Sequence, residues 1–278
     1  MNEMRTSFDK DSILLGTAGW GDKVEKSAAL ELLSTFYQHG YRWIDTATNY
    51  PINRNPKEYG LAIGWLSEFQ SDFPDLKIFV KAGSRTNLGE PESFINASYF
   101  DLVFEMLIGQ LGDGLAGLGV HWDNNSSNDD RSMLLDFFAR IHHRGYQIGL
   151  SGIASKESYS SNSIGPSLPW IYQLNLSPAR GVEIESEIAE VRKHFPDARI
   201  CGYNTLGGIS AKDLATSPNR MKALSTSVGE LEGKNENEIL NRIIRRALEK
   251  EVDALIIGPT NASQFSQWDL ALSGSLHD

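Results

Sequence analysis

Four ionisable side chains lie at or just beyond the ends of three short apolar segments. Asp45 and Tyr50 stand in "WIDTATNY", Lys81 in "FVKAG" and His121 in "GLGVHWD". Hydride reduction of a carbonyl leaves an alkoxide that needs a proton, and a phenol with an ordinary pKa of about 10 releases one reluctantly at neutral pH. A lysine ammonium group close to Tyr50 lowers that pKa, and an aspartate paired with the lysine keeps it charged and in place. These residue types predict a proton-donor site, in which a neutral His121 donates to the same carbonyl oxygen.

Each of the four residues also has a purely structural interpretation. Asp45 and Lys81 would suit a buried ion pair, Tyr50 an aromatic at the rim of the fold, and His121 a hydrogen-bonded core position. Taken one at a time, these structural roles are at least as frequent as catalytic ones. Partly buried ionisable groups at three successive strand ends are costly without a shared purpose, which favours one common site.

Eight short apolar segments are predicted as β-strands, with amphipathic segments between them. Three of the intervening segments, 25–40, 131–145 and 236–251, repeat apolar residues every three or four positions and are predicted as helices. The linker 155–169 is rich in Ser, Pro and Gly, so only a short helix is expected there. The predicted strands cover residues 12–17, 41–46, 77–82, 116–122, 146–151, 170–175, 198–203 and 253–258.

Alternation of nearly continuous apolar strands with helices predicts a parallel sheet covered by helices. Eight such units in a chain of 278 residues match an α/β fold, the (β/α)8 TIM barrel, formed by residues 1–278 as a single domain. An open doubly wound sheet is less favoured, because "GTAGWGDK" after the first strand lacks the G-x-G-x-x-G spacing. Chemistry in such a barrel lies at the carboxyl ends of the strands, where the four ionisable residues fall.

The composition limits the classes of partner. A formal net charge of −10 argues against binding to nucleic acid or to an anionic membrane and favours a small molecule. Acidic residues interrupt "MNEMRTSFDKDSILLG", which predicts neither a signal peptide nor a membrane span and favours a cytoplasmic location. Cys201 is the one cysteine, which excludes an intrachain disulfide and lends no support to a metal site.

The order of the motifs resembles that of the aldo-keto reductases. The segments "LGTAGWG", "WIDTATNY", "FVKAG", "GLGVHWD", "IGLSG", "YQLN", "GYNTLGG" and "IIGPTNASQ" occur in the family's order over essentially the whole predicted barrel. The family's aspartate, proton donor, lysine and histidine match Asp45, Tyr50, Lys81 and His121. The resemblance implies NAD(P)H-dependent reduction of an aldehyde or ketone, with sugars among the candidate substrates.

The same resemblance implies where the cofactor and the substrate bind. The family holds NADPH, and sometimes NADH, in extended form across the barrel mouth without a Rossmann domain. Ser151 and Gln173 would hold the nicotinamide carboxamide, and Tyr203 would stack on the ring. The remaining implied contacts are Leu206, Gly207 and Gly208 at the pyrophosphate, Gly258, Thr260, Asn261 and Gln264 at the adenosine phosphate, and Trp20 and Trp122 as substrate walls.

Two departures from the family bear on the cofactor. Gly152 stands where the family usually has Asn, a second carboxamide contact. Residues 258–267 contain no Lys or Arg, which many NADPH-using members carry for the 2′-phosphate. NADP(H) is therefore the expected cofactor, with NAD(H) as the alternative and only modest discrimination between them.

Two other functions remain open at the level of sequence. One is a cofactor-binding regulatory or redox-sensing barrel with little turnover, which would have no need of Tyr50 beside Lys81. The other is a barrel lyase or isomerase in which Lys81 forms a Schiff base. This alternative is less favoured, because Asp45 would keep the amine protonated rather than nucleophilic.

Overall fold

All eight predicted strands are present, and their order along the chain is that expected. The computed structural model describes residues 7–90, 92–124, 131–160, 168–177, 180, 183–207, 225 and 234–274. The strands are β1 (Ile13–Gly16), β2 (Trp43–Ala47), β3 (Lys77–Ala82), β4 (Leu115–Asp123), β5 (Gln147–Ile153), β6 (Ile171–Asn175), β7 (Arg199–Tyr203) and β8 (Ala254–Ile257).

The eight strands close into one parallel barrel in sequence order. Each strand pairs with the next, and β1 closes the barrel on β8 with Leu14 opposite Ile256. The prediction of a (β/α)8 TIM barrel is therefore confirmed. The carboxyl ends of the strands meet at one mouth, as expected for this architecture.

Helices surround the barrel, and the three that the sequence predicted are confirmed as α1 (Lys26–Gln38), α4 (Ser132–His143) and α6 (Glu236–Glu249). The last of them begins with a capping box, in which Asn235 and Glu238 each accept a hydrogen bond from the other's backbone N–H. Within the linker 155–169, the described part holds only a single turn at Glu157–Tyr159. The helices are α1 (Lys26–Gln38), α2 (Leu61–Phe69), α3 (Ala97–Leu111), α4 (Ser132–His143), α5 (Glu183–His194), α6 (Glu236–Glu249) and α7 (Ala262–Gly274).

Phe79 helps to fill the barrel interior beside the strand ends that carry the ionisable residues. Its ring is accommodated by two glycines on neighbouring strands, since a Cβ added at Gly119 or Gly149 would lie 2.9 or 2.6 Å from its Cζ atom. The glycines of "GLGVHW" and "IGLSG" therefore have a packing role. They allow a large apolar side chain to occupy the centre of the barrel, next to Asp45 in the register of β2 and β3.

Candidate active site

Asp45, Lys81 and Gln173 form a closed ring of hydrogen bonds across the barrel mouth. Lys81 Nζ lies 2.5 Å from Asp45 Oδ2 and 3.1 Å from Gln173 Oε1. Gln173 Nε2 donates to Asp45 Oδ1 at 2.5 Å, and all three side chains are buried. Burial by itself would lower the pKa of Lys81, but the charges and hydrogen bonds of Asp45 and Tyr50 together outweigh it and raise that pKa. The lysine is therefore held as an ammonium group.

Tyr50 lies on the cavity side of this ring of hydrogen bonds. Its aromatic ring is 5.2 Å from Lys81 Nζ, and only 7% of its surface is exposed. Burial raises the pKa of the phenol, while the charge of Lys81 opposes the rise. The influence of Lys81 thus has the predicted sign, but the net shift is upward. The phenol is held protonated, as a proton donor must be before the reaction.

His121 is fixed by three neighbours. Its Nδ1 atom is 3.1 Å from Asn49 Oδ1, and its ring meets that of Tyr50 edge to face, with 5.7 Å between centroids. The ring of Trp122 stacks on it at 4.5 Å. Burial, together with the nearby charge of Lys81, lowers the pKa of His121 well below its ordinary value. A neutral imidazole was predicted here, and the environment of the ring favours it.

Gly152 makes room for this stacking of Trp122 on His121. Successive strand side chains normally point to opposite faces, but Trp122 has φ 61°, which places its ring beside that of the preceding residue. Gly152 has φ 66°, and a Cβ there would lie 2.8 Å from Trp122 Cδ1. Gly152 stands where the family usually has Asn, and in this protein the Trp122 ring occupies the space next to it.

Gly152→Ala should lower the free energy of unfolding by about 1 to 3 kcal/mol, because the new methyl group collides with the Trp122 ring. Gly145→Ala is the matched control: Gly145 also has a positive φ, 94°, but no atom lies within 4 Å of an added Cβ. Chemical denaturation of both variants separates the collision from the backbone strain that they share. Equal losses of stability would show that the contact with Trp122 does not constrain this position.

A cavity of about 790 Å³ opens at the carboxyl end of the barrel. It begins at the four predicted catalytic residues and extends to the loop after β8. The interior of the closed barrel forms its base, and the loops after several strands form its walls. Its lining includes Asp45, Tyr50, Lys81, His121, Ser151, Gln173, Tyr203, Leu206, Gly258, Thr260, Gln264, Trp20 and Trp122.

Trp20 lines the cavity and carries a buried indole N–H group. Its side chain is buried, with 1% of its surface exposed, and packs 6.4 Å from the rings of Trp65 and Phe69. Within the described part of the chain, its indole N–H has no acceptor. Buried donors are normally paired, so Trp20 leaves one unsatisfied donor in the packing beside the cavity.

Two residues that were predicted to contact the cofactor, Asn261 and Gly208, are not among the described residues that line the cavity. The side-chain oxygen of Asn261 accepts from Gln264 N at 2.9 Å and caps α7, and Asn261 does not line the cavity. Gln264 in turn accepts from the backbone and hydroxyl of Thr260, at 2.8 and 3.0 Å. Gly208 lies outside the described residues.

Asn49 is the site residue that the sequence did not single out. It is completely buried directly before Tyr50, and its contact with His121 joins the loop after β2 to the end of β4. An Asn in a loop carries no signal of such a role in a single sequence, because the contact depends on the closure of the barrel. The ring of bonds through Gln173 was likewise unforeseen.

The described ranges contain no candidate metal site and no candidate membrane span. No group of three His, Cys, Asp or Glu side chains there is arranged to hold a metal ion. None of the helices described above is long and apolar enough to cross a bilayer.

Comparison with protein families supports the resemblance seen in the sequence. The model of the aldo/keto reductase family matches residues 12–98, the part of the chain that contains Asp45, Tyr50 and Lys81. No curated protein matches the sequence significantly. The resemblance to this family is thus supported from the first strand to the start of α3.

Solved structures share the fold over nearly the whole chain. A crystal structure of a candidate aldo-keto reductase from Pseudomonas aeruginosa is similar with a TM-score of 0.62 and 16% identity, covering 99% of this chain and 96% of that one. A second structure, also of a candidate aldo-keto reductase from Pseudomonas aeruginosa, has a TM-score of 0.57 and 17% identity over 98% and 96% of the chains. At these identities the similarity establishes the barrel fold.

Proposed function

We propose that this protein is an NAD(P)H-dependent oxidoreductase that reduces an aldehyde or ketone to the alcohol, with Tyr50 as the proton donor. One observation carries the proposal: a buried phenol faces the cavity, with the Lys81 ammonium group 5.2 Å from its ring. In the reverse direction the same site would oxidise an alcohol or a sugar. Asp45, Lys81 and His121 complete the catalytic set.

The charges of the site suit the transfer of one proton from Tyr50. Reduction adds a hydride to the carbonyl carbon and leaves negative charge on the oxygen, which then takes the phenolic proton. Lys81 stabilises the phenolate that remains. Among the described residues, Asp45 is the counter-ion of Lys81. Because the ion pair is buried, its field is only weakly screened by solvent. Lys81 therefore makes the Tyr50 phenol a stronger acid during the reaction than it would be if it were only buried.

The cavity has the extent and the polar groups that a dinucleotide needs. Bound there, a nicotinamide cofactor would supply the hydride. Ser151 and Gln173 lie on β5 and β6 opposite one another, within reach of a carboxamide at the centre of the mouth. Tyr203, at the end of β7, offers an aromatic surface for a ring. Gly258 and Thr260 would contact the adenosine end, with Gln264 holding their loop.

The Gln173 amide can serve the cofactor in only one way while its hydrogen bonds to Asp45 and Lys81 are kept. Its oxygen accepts from Lys81, and one of its two N–H groups donates to Asp45. The second N–H group remains for the carboxamide oxygen of a nicotinamide. Gln173 would thereby link the cofactor to the ion pair that tunes Tyr50.

The protein should bind NADPH more tightly than NADH, but only modestly so. We expect the two affinities to differ by no more than about a hundredfold, or roughly 2.7 kcal/mol. A 2′-phosphate is usually met by Lys or Arg, yet the described cations on the cavity lining are Lys81 in the catalytic set and Lys23 in the loop after β1. Titration of each nucleotide against tryptophan fluorescence measures the ratio. A much larger preference for NADPH would mean that another cation contacts the phosphate, such as Arg245 or Lys212, the latter outside the described residues. A preference for NADH would contradict the family default.

Turnover distinguishes the enzyme from a cofactor-binding sensor. Purified protein is given NADPH or NADH with a panel of aldehydes, ketones and ketoses, and cofactor absorbance is followed. Consumption of cofactor that depends on a carbonyl supports the proposed reductase. Tight nucleotide binding without turnover on any carbonyl, or on alcohols with the oxidised cofactor, would favour the regulatory alternative.

A further inference from the structure

The Lys81 ammonium group has three N–H donors, and two of them have fixed acceptors in the barrel mouth. One donates to Asp45 Oδ2 at 2.5 Å and another to Gln173 Oε1 at 3.1 Å. The two acceptors stand on β2 and β6, which lie opposite one another in the closed barrel. Together they fix the rotation of the ammonium group, so the direction of its third N–H is set by the tetrahedral geometry of the nitrogen.

The orientation of the Gln173 amide cannot be reversed without loss. Its nitrogen donates to Asp45 Oδ1 at 2.5 Å while its oxygen accepts from Lys81. A reversed amide would set its oxygen against the carboxylate and its N–H groups against the ammonium group. Asp45 is 2% exposed, and Lys81 and Gln173 are each 3% exposed, so bulk water does not supply alternative partners. Gln173 therefore holds both members of the ion pair in one arrangement.

Tyr50 lies where the third donor of Lys81 can reach it. Lys81 Nζ is 5.2 Å from the centroid of the Tyr50 ring. Burial raises the pKa of the phenol, and the charge of Lys81 together with its hydrogen bond to the phenol opposes that rise. The strength of this opposition depends on where the ammonium group points.

Lys81 is the cation at the strand ends that faces the Tyr50 phenol. Asp45 acts in the opposite sense, since its charge raises the pKa of the phenol. The His121 ring, which meets the phenol edge to face, is kept neutral by burial and by the charge of Lys81, which lower its pKa. The ionisable groups that line the cavity around the phenol are Asp45, Lys81, His121 and Tyr203 at the strand ends, and Asp22 and Lys23 in the exposed loop after β1.

We infer that Gln173 is a positioning residue for proton transfer, which turns the third N–H of Lys81 onto the Tyr50 oxygen. This role is separate from any contact with the cofactor and is present in the ligand-free protein. Its effect on the rate rests on the proposed function, whereas the orientation of Lys81 does not. In reduction, the directed N–H stabilises the phenolate left when the alkoxide takes the proton. In oxidation, the phenolate takes the hydroxyl proton of the alcohol as hydride leaves the carbon for the oxidised nicotinamide.

The orientation of Lys81 can be measured in the ligand-free protein labelled with ¹⁵N in its lysine side chains. The wild type should show a nuclear Overhauser contact between the Lys81 ammonium protons and the Tyr50 ring. Gln173→Met has a similar length but no amide, so this contact should weaken or disappear. Ser151→Ala is the matched control, because Ser151 lies opposite Gln173 on β5 and lines the cavity but stands outside the ring of hydrogen bonds. It should keep the wild-type contact.

Two results of this measurement overturn the inference. One is the absence of the contact in the wild type, which counts whether or not the variant folds. The other is an unchanged contact in folded Gln173→Met.

Oxidation of an alcohol shows the same role as a dependence on pH. Its proton acceptor is the Tyr50 phenolate, so the rate rises with pH as the phenolate forms. With saturating oxidised cofactor and alcohol, Gln173→Met should be about tenfold slower than the wild type at neutral pH, the effect of one hydrogen bond to a charged group. The deficit should shrink as the pH rises, since the phenolate then forms without help. Ser151→Ala should bind the cofactor less tightly but show no deficit of this pH dependence.

A deficit of equal size at every pH, or no deficit at neutral pH, overturns the inference, because a loss of packing or of cofactor contact has no reason to follow the ionisation of Tyr50. Failure to turn over any carbonyl or alcohol overturns the proposed function instead. The ammonium contact in the ligand-free protein then still decides the orientation of Lys81.

Discussion

Tyr50→Phe should lower kcat by about 10²- to 10⁴-fold while leaving the affinity for the nicotinamide cofactor close to that of the wild type. The substitution removes only the hydroxyl group that protonates the alkoxide. The aromatic ring that packs against His121, 5.7 Å between centroids, is kept. Steady-state rates with the best carbonyl of the panel, together with fluorescence titration of the cofactor, measure the two quantities separately.

Tyr59→Phe is the control for the loss of a phenolic hydroxyl in the same loop. Tyr59 is partly exposed, and its hydroxyl donates to the backbone carbonyl of Ser84 at 2.7 Å, outside the cavity lining. This variant should turn over at nearly the wild-type rate. If Tyr50→Phe did the same, Tyr50 would be an aromatic at the rim of the barrel and the proposed mechanism would be wrong.

Lys81→Met should reduce kcat at least as much as Tyr50→Phe and should also destabilise the fold. The cation that stabilises the phenolate is lost, and Asp45, which is 2% exposed, becomes a buried carboxylate without its counter-ion. Breaking a buried pair from one side typically costs about 3 to 5 kcal/mol. Thermal and denaturant unfolding, measured beside the rate, give both effects.

A second substitution separates the two roles of Lys81. Adding Asp45→Asn to Lys81→Met removes the unpaired charge, so much of the stability should return while the rate stays low. Lys77→Met is the control on the same strand, because its ion pair with Asp11 is exposed, with 3.7 Å between the charged atoms. That change should cost no more than about 1 kcal/mol. Recovery of the rate in the double variant would show that Lys81 acts only on stability.

The fold could be predicted from the sequence because the strand pattern repeats eight times. Apolar segments such as 77–82 and 198–203 alternate with amphipathic ones, and a parallel barrel is the closed sheet with this order of elements. The pairing of Asp45 with Lys81 was also predictable, since both lie at the ends of neighbouring strands. The residue types at the predicted strand ends were therefore enough to predict the ion pair at the centre of the candidate site.

The bonding around that centre could not be predicted, because it depends on contacts between residues far apart in sequence. Gln173 spans the barrel from β6 to Asp45 on β2, 128 residues away. The position of Asn49 beside Nδ1 of His121 depends on how the loop after β2 folds back. Asn261 has the residue type expected of a cofactor contact, but its oxygen is used to cap α7.

Transfer of deuterium from the cofactor to the substrate tests the central claim most directly. NADPH or NADH deuterated at the transferred C4 position is mixed with the protein and an excess of the best carbonyl, and the alcohol is examined by mass spectrometry. We expect one deuterium on the former carbonyl carbon for each cofactor oxidised, formed about 10² to 10⁴ times more slowly by Tyr50→Phe. Alcohol without deuterium, or equal rates of deuterium transfer in the wild type and Tyr50→Phe, would contradict hydride reduction with Tyr50 as the proton donor.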